Sequence, residues 1–355
     1  SAAMRARAAN RQPLTRPELC VLLAYAKIDL NDEILASDLP DDPRLEEELL
    51  RYFPAALQEK YEPAIRGHRL RREITALQVV NSLVNRCGPT FVHTVGQRSG
   101  ASAATIARAF TVVRDAWQLR TLWADIEALD PALKAEAQIR MLVASQRFLV
   151  RTVQWTLRRL PQPLDTTAAT TKLGAAVAAL GDLSPALIGQ AEAAALGERA
   201  AALEAVGTPA AAARQAAALE TLAAAGDLAL AAEANGCGIE AATRLYFRLG
   251  ERLSLAALAN AAQKLPREGQ WPAQAALAVQ DDLAGLHADL LNSALRAAGG
   301  GNCDPDAALA KWSEPRQLAL DRVDRLIRED FASAGAGTLD LAMLSVATAE
   351  LRTLV

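Results

Sequence analysis

Gly236, Gly238 and Ala241 carry the spacing G-x-G-x-x-A, which in the right context cradles the pyrophosphate of a dinucleotide for hydride transfer. That chemistry needs a buried strand before the first glycine, because the glycines turn the chain from strand into helix beneath the phosphates. Here the preceding residues, DLALAAEAN, read as helix. The segment is therefore expected to be a helix-to-helix turn, with a glycine in the left-handed position that ends a helix. The three histidines, His68, His93 and His287, each stand apart from any cysteine or matched carboxylate pair. Cys20, Cys87, Cys237 and Cys303 are scattered, with no CxxC pair, so neither a zinc site nor a disulfide framework is indicated and a reducing cytosol is expected. No GxSxG, HExxH or phosphate loop occurs. On these grounds the segment is expected to hold no catalytic, cofactor-binding or metal-binding residue.

Two polar groupings remain. Arg66, His68, Arg69, Arg71 and Arg72 crowd into about a turn and a half of helix. They read either as a solvated face pairing with Glu46, Glu47 and Glu48, or as a docking patch for an acidic surface; nucleic acid is disfavoured because no aromatic platform accompanies them. Further along, Gln78, Asn81, Asn85 and Arg86 share one helix with Arg72. Asn81 falls on the apolar stripe Leu70, Ile74, Leu77, Val84, where a buried amide costs stability unless it is bonded. Arg72, Gln78, Asn81, Asn85 and Arg86 are thus candidates either for an internal polar network or for contact with another domain.

The elements that must position these groups are helices. Across 355 residues no convincing strand signal appears, and helical periodicity recurs throughout, so the fold class is all-α: a multi-helix bundle without significant sheet. Hydrophobic residues make up 51% and aromatics only 4%, so cores must be assembled from Ala, Leu and Val. The net charge of −3 argues against a general polyanion binder, and no apolar run is long enough for a membrane span.

Punctuation divides the chain. Ser1-Ala2-Ala3 before Met4 has the look of a tag scar, and residues 1–13 are expected to be disordered or extended, with no signal peptide. Thr15-Arg16-Pro17-Glu18 has the form of a capping box, followed by Leu19, Leu22, Leu23, Ala26 and Leu30 at helical spacing. Asp42-Pro43 opens a helix that Pro54 stops; a short segment, AALQEKY, precedes Glu62-Pro63; and one helix is expected over 64–86, closed by Gly88-Pro89. Gly100 and Ser102 introduce a single long helical stretch, and Asp130-Pro131 restarts the pattern. Pro161 and Pro163 mark the clearest linker, giving subdomains at 14–162 and 163–355. The Ala-rich span 166–234 is expected to form several helices of about 10–15 residues, with Ser184-Pro185 and Thr208-Pro209 as starts. Gly299-Gly300-Gly301-Asn302 reads as a flexible break.

The segment LTRPELCVLLAYAKIDLNDEILASDLPDDPRLEEELLRYFP resembles the C-terminal region of the large bacterial NAD-dependent glutamate dehydrogenases. The likeness continues through HRLRREITALQVVNSLVNRCGPTFVHTVGQRSGASAATIARAF and resumes in GIEAATRLYFRLGERLSLAALANAAQKLP and WPAQAALAVQDDLAGLHADLL. It implies a parent enzyme that converts L-glutamate to 2-oxoglutarate and ammonia with NAD, its catalytic domain lying upstream. The family's catalytic lysine and aspartate and its Rossmann glycines have no counterparts in this sequence. Lys27 matches the family pattern, and is expected to lay its stem along the helix with its ammonium in water. The resemblance implies a structural, assembly or regulatory role, partnered by the catalytic and N-terminal regions of the same chain in a cytoplasmic homo-oligomer, with no nucleic acid and no membrane. The alternative is a stand-alone helical interaction module without enzymatic activity.

Overall fold

The computed structural model describes residues 2–130, 133–181, 183–301, 304–327 and 340–355. Pro131, Asn302, Cys303 and the stretch 328–339 lie outside them, so the expected restart at Pro131 and the end of the glycine break fall outside the described residues. All regular structure among the described residues is helical, and no strand occurs there. The chain forms two compact units, Ser1–Gly174 and Ala175–Val355. The division falls inside a helix, a few turns beyond the Pro161–Pro163 break.

The first unit opens with α1 (Ala2–Ala9), where sequence alone suggested disorder; Met4 is buried and Arg7 pairs with Glu18 at 3.4 Å. α2 (Arg16–Leu35) starts at the capping box: the Thr15 amide donates to Glu18 Oε2 at 2.8 Å, and Thr15 Oγ1 donates to the same oxygen at 2.8 Å. These bonds, with Arg7 further off, hold the Glu18 carboxyl below its ordinary range. A 3₁₀ turn at Pro43–Leu45 leads into α3 (Glu46–Tyr52), with Asp42 as N-cap accepting from the Arg44 amide at 3.0 Å. α4 (Ala55–Arg66) is bent at Tyr61, two residues before Pro63.

The helix expected over 64–86 is two elements. The chain leaves α4 at Gly67 and re-enters helix only as α5 (Arg71–Cys87). The buried face differs from the expected stripe. Ile74, Ala76, Val79, Val80, Leu83, Val84 and Cys87 are inside, whereas Leu70 and Leu77, assigned to the stripe from periodicity, are exposed. Gly88, at φ +91°, turns the chain into α6 (Phe91–Ser99), a helix not separately expected from the sequence. The long helix expected after Ser102 is also two: α7 (Ala103–Ala116) and α8 (Leu119–Ala128), separated at Gln118 with φ +51°. α9 (Ala135–Arg159) and the start of α10 (Thr166–Leu180) complete the unit. Its core gathers Ile34, Val80, Ile106, Phe110, Val113, Ile126, Met141 and Leu149.

The second unit continues through α11 (Pro185–Glu204), kinked at Gly189 (φ +78°), α12 (Ala210–Leu222) and α13 (Ala225–Asn235). Then come α14 (Ile239–Arg252), α15 (Leu255–Gln263), α16 (Gln270–Ala298), α17 (Pro305–Ser313), α18 (Gln317–Arg325) and α19 (Leu341–Arg352). Ala213, Ala225, Ala231, Ala242, Ala262 and Ala294 are fully enclosed. Small side chains here let helix axes approach closely, and leucines such as Leu228, Leu245, Leu249 and Leu290 supply the apolar bulk. α11 packs on α12 and α14, and α16 on α14, α15, α17 and α19.

Candidate functional site

Gly236 ends α13 in the left-handed conformation (φ +62°), and Gly238 is the N-cap of α14. The G-x-G-x-x-A letters thus join two helices, as expected from the sequence around them. Among the described residues no three His, Cys, Asp or Glu side chains gather into a metal-holding group. Cys87 is buried and its thiol pushed up by desolvation, which suits a packed hydrophobe rather than a nucleophile. The Nε2 of His287 lies 2.9 Å from the Tyr246 carbonyl, and its ring stacks on Tyr246 with centroids 3.4 Å apart. Desolvation pushes its pKa down to about 4, keeping the imidazole neutral.

The five polar candidates on or beside α5 do not converge on one point. Arg72 donates to the Leu35 and Ser37 carbonyls, both at 2.9 Å, and pairs with Asp41, so it clamps the C-terminal end of α2. Asn81 is half-buried and accepts from Nζ of Lys27, itself half-buried, at 3.0 Å, so one of the ammonium's donors is used within the unit. Arg86 covers the Trp123 ring at 4.4 Å and reaches Glu127 at 2.6 Å, tying α5 to α8. Gln78 is half-buried and Asn85 exposed. Of the arginine cluster, Arg66 pairs with Glu46 and Glu62, which raises its pKa, and Arg71 lies 3.6 Å from Asp41. Glu48 turns inward instead.

That inward turn builds the strongest ionic cluster of the first unit. The side chains of Arg114 and Glu48, 1% and 5% exposed, meet at 2.7 Å. Arg114 Nε also holds Asp115 at 2.7 Å, and Arg120 closes onto Glu48. Nearby, Asp42 accepts from Arg108 at 3.1 Å and from Thr166 Oγ1 at 2.8 Å, while Asp38 meets Arg108 at 2.5 Å and is held below the ordinary carboxylate range by it. These residues line an open depression of about 380 Å³ with Pro43 and Leu164. Asp38, Asp41 and Asp42 are each engaged by an arginine, and Asp165, the fourth carboxylate of the lining, accepts from the Ala168 amide at 2.8 Å at the start of α10. Sequence reading missed both clusters. The available signal was the pair Arg114-Asp115, charges set between Phe110 and Trp117 in a mostly apolar run.

The arrangement is one of structural ion pairs and helix clamps. What it belongs to is decided by comparison. A family model described as "Glutamate dehydrogenase, C-terminal" matches residues 11–353. The chain belongs to this family. It is 33% identical over 340 residues to the NAD-specific glutamate dehydrogenase of Pseudomonas aeruginosa, a match covering 96% of this chain and 21% of that protein. The corresponding Mycobacterium tuberculosis protein is 31% identical over 340 residues, covering 96% of this chain and 20% of that protein. The Halomonas elongata protein is 43% identical over 153 residues. The chain therefore spans about a fifth of the length of the two relatives it matches throughout, as a glutamate dehydrogenase C-terminal region. No single described helix is long and apolar enough to cross a membrane.

Proposed function

We propose that this chain is the structural C-terminal portion of an NAD-dependent glutamate dehydrogenase whose catalytic region precedes it in a longer polypeptide. In that enzyme L-glutamate, NAD⁺ and water give 2-oxoglutarate, ammonium, NADH and a proton. The helical portion covers the catalytic region, supports assembly of a homo-oligomer, or transmits effector state to it. The observation that carries this reading is the match along 96% of the chain to only about a fifth of its relatives. The engagement of the acidic groups by arginine agrees with a scaffold rather than a reaction centre.

The test is the reading frame upstream of Met4. An open frame encoding a strand-rich domain with a dinucleotide fingerprint, whose product reduces NAD with glutamate, is the expected result. A start codon with no such domain would sink the proposal and leave the stand-alone helical module.

A further inference from the structure

From Leu19 onward the first half of α2 carries apolar side chains around its circumference, and none of them is buried. Leu19, Val21, Leu22, Leu23, Tyr25 and Ile28 are all exposed, Tyr25 by 62%, and only Leu30 and Ile34 in the last turns are buried. At 3.6 residues per turn these six side chains point around much of the circumference, and the small residues Cys20 and Ala24, also exposed, fill most of the remainder. A helix hydrophobic all round belongs inside a larger body.

The register places it along the last turns of α5. Lys27 lies opposite Asn81, and the Leu35 carbonyl opposite Arg72, so α2 runs antiparallel to α5. Continued at that register, Leu19 falls beyond Cys87, the last residue of α5, and Leu22 and Leu23 fall opposite its final turn, so this half of α2 lies over the end of α5. The exposed half is held at one end by the Lys27–Asn81 contact and at its start by the Thr15–Glu18 cap, so it is a preformed helix.

We infer that residues 19–28 of α2 insert into an apolar groove of the polypeptide region that immediately precedes this chain in the full-length protein. The inference rests on the proposed reading of the chain as the C-terminal part of a longer dehydrogenase. Three observations select this occupant. About four-fifths of the relatives' length lies outside the matched region, and α2 is the first helix wholly within the family match, so the preceding region is joined to it at high effective concentration. A symmetric contact with a second copy covers one side of a helix, whereas this one is apolar on all. A bilayer is a poor fit, because Arg16, Glu18, Lys27 and Asp29 interrupt the helix and it fails the length and composition of a span.

Cys20, exposed among these residues, is a built-in reporter. Its alkylation by N-ethylmaleimide, followed by peptide mapping, is to be measured in the 355-residue chain and in the full-length polypeptide. The expected result is ready labelling in the chain and labelling at least roughly tenfold slower in the full-length protein, since a covered thiol reacts only through local opening. A second variant, Leu22→Asp, is expected to leave the melting temperature of the chain unchanged while abolishing Cys20 protection in the full-length protein. Equal labelling rates in the two proteins would overturn the inference. So would protection in the chain alone accompanied by a dimer in sedimentation, which would assign the face to a second copy. Assaying glutamate-dependent NAD reduction on the same full-length sample separates the two ideas: absence of turnover defeats the functional reading, whereas unprotected Cys20 in an active enzyme defeats only the docking.

Discussion

Asn81 and Glu48 show how a polar side chain in a helical protein declares its partner only in three dimensions. Asn81 bonds Lys27 within the same unit, so Asn81→Leu is expected to lower stability by about 1 kcal/mol, the net worth of one half-buried hydrogen bond. An unchanged or raised melting temperature for the variant would contradict this. Glu48 holds Arg114 in a nearly sealed site. Glu48→Ala leaves that guanidinium with Asp115 alone and should cost roughly 3 kcal/mol in denaturant unfolding. A loss no larger than that of an exposed ion pair would show that the cluster carries little. His287 supplies the pH dependence. Its folded pKa is about 4 against an ordinary 6.5, so well above pH 6.5 the ring is neutral in both folded and unfolded chains and contributes no pH dependence. Between about 6.5 and 4 the unfolded chain takes up a proton that the folded chain does not, and stability falls as pH falls. His287→Phe should flatten that part of the melting-temperature profile; an unchanged slope would remove His287 from the account. None of these partners was legible in sequence. Lys27 and Asn81 are 54 residues apart, and Glu48 could not be told from Glu46 and Glu47, which stay at the surface.

At the scale of elements, the sequence announced starts better than stops. Thr15-Arg16-Pro17-Glu18 and Ser102 begin helices through local side-chain caps, and Ser184-Pro185 begins one through proline in the first turn, with no bond from the Ser184 side chain. The breaks at Gly67 and at Trp117–Gln118 were not foreseen, because hydrophobic periodicity runs across them and tertiary packing decides where the helix ends. The stripe expected on α5 is misplaced in part: Leu70 lies before the helix begins, and Leu77 is exposed although Ile74 and Val84 on the same stripe are buried. Close packing gives an element-scale prediction. A Cβ on Gly250 of α14 would approach the His287 ring of α16 to 3.1 Å. Gly250→Ala should therefore destabilise the α14–α16 contact, despite alanine's better helix propensity, by about 1–2 kcal/mol. A rise in melting temperature would show that the ring yields freely.

For the whole molecule, all-α architecture was legible from periodicity and the absence of strand signals, and family membership from the long register of the first hundred or so residues. Domain division was less so: Pro161 and Pro163 are the most conspicuous punctuation, whereas the compact units part within α10, where alanine-rich helix offers no sequence mark. The central claim is that this region scaffolds a dehydrogenase and does not itself react. Its most direct test is glutamate-dependent NADH formation, followed spectrophotometrically for the purified 355-residue chain beside the full-length polypeptide. The account predicts turnover by the full-length protein and none by the chain, with no calorimetric NAD binding to the latter. Turnover by the chain that survives repurification, or tight NAD binding to it, would contradict the account and return attention to Gly236–Ala241.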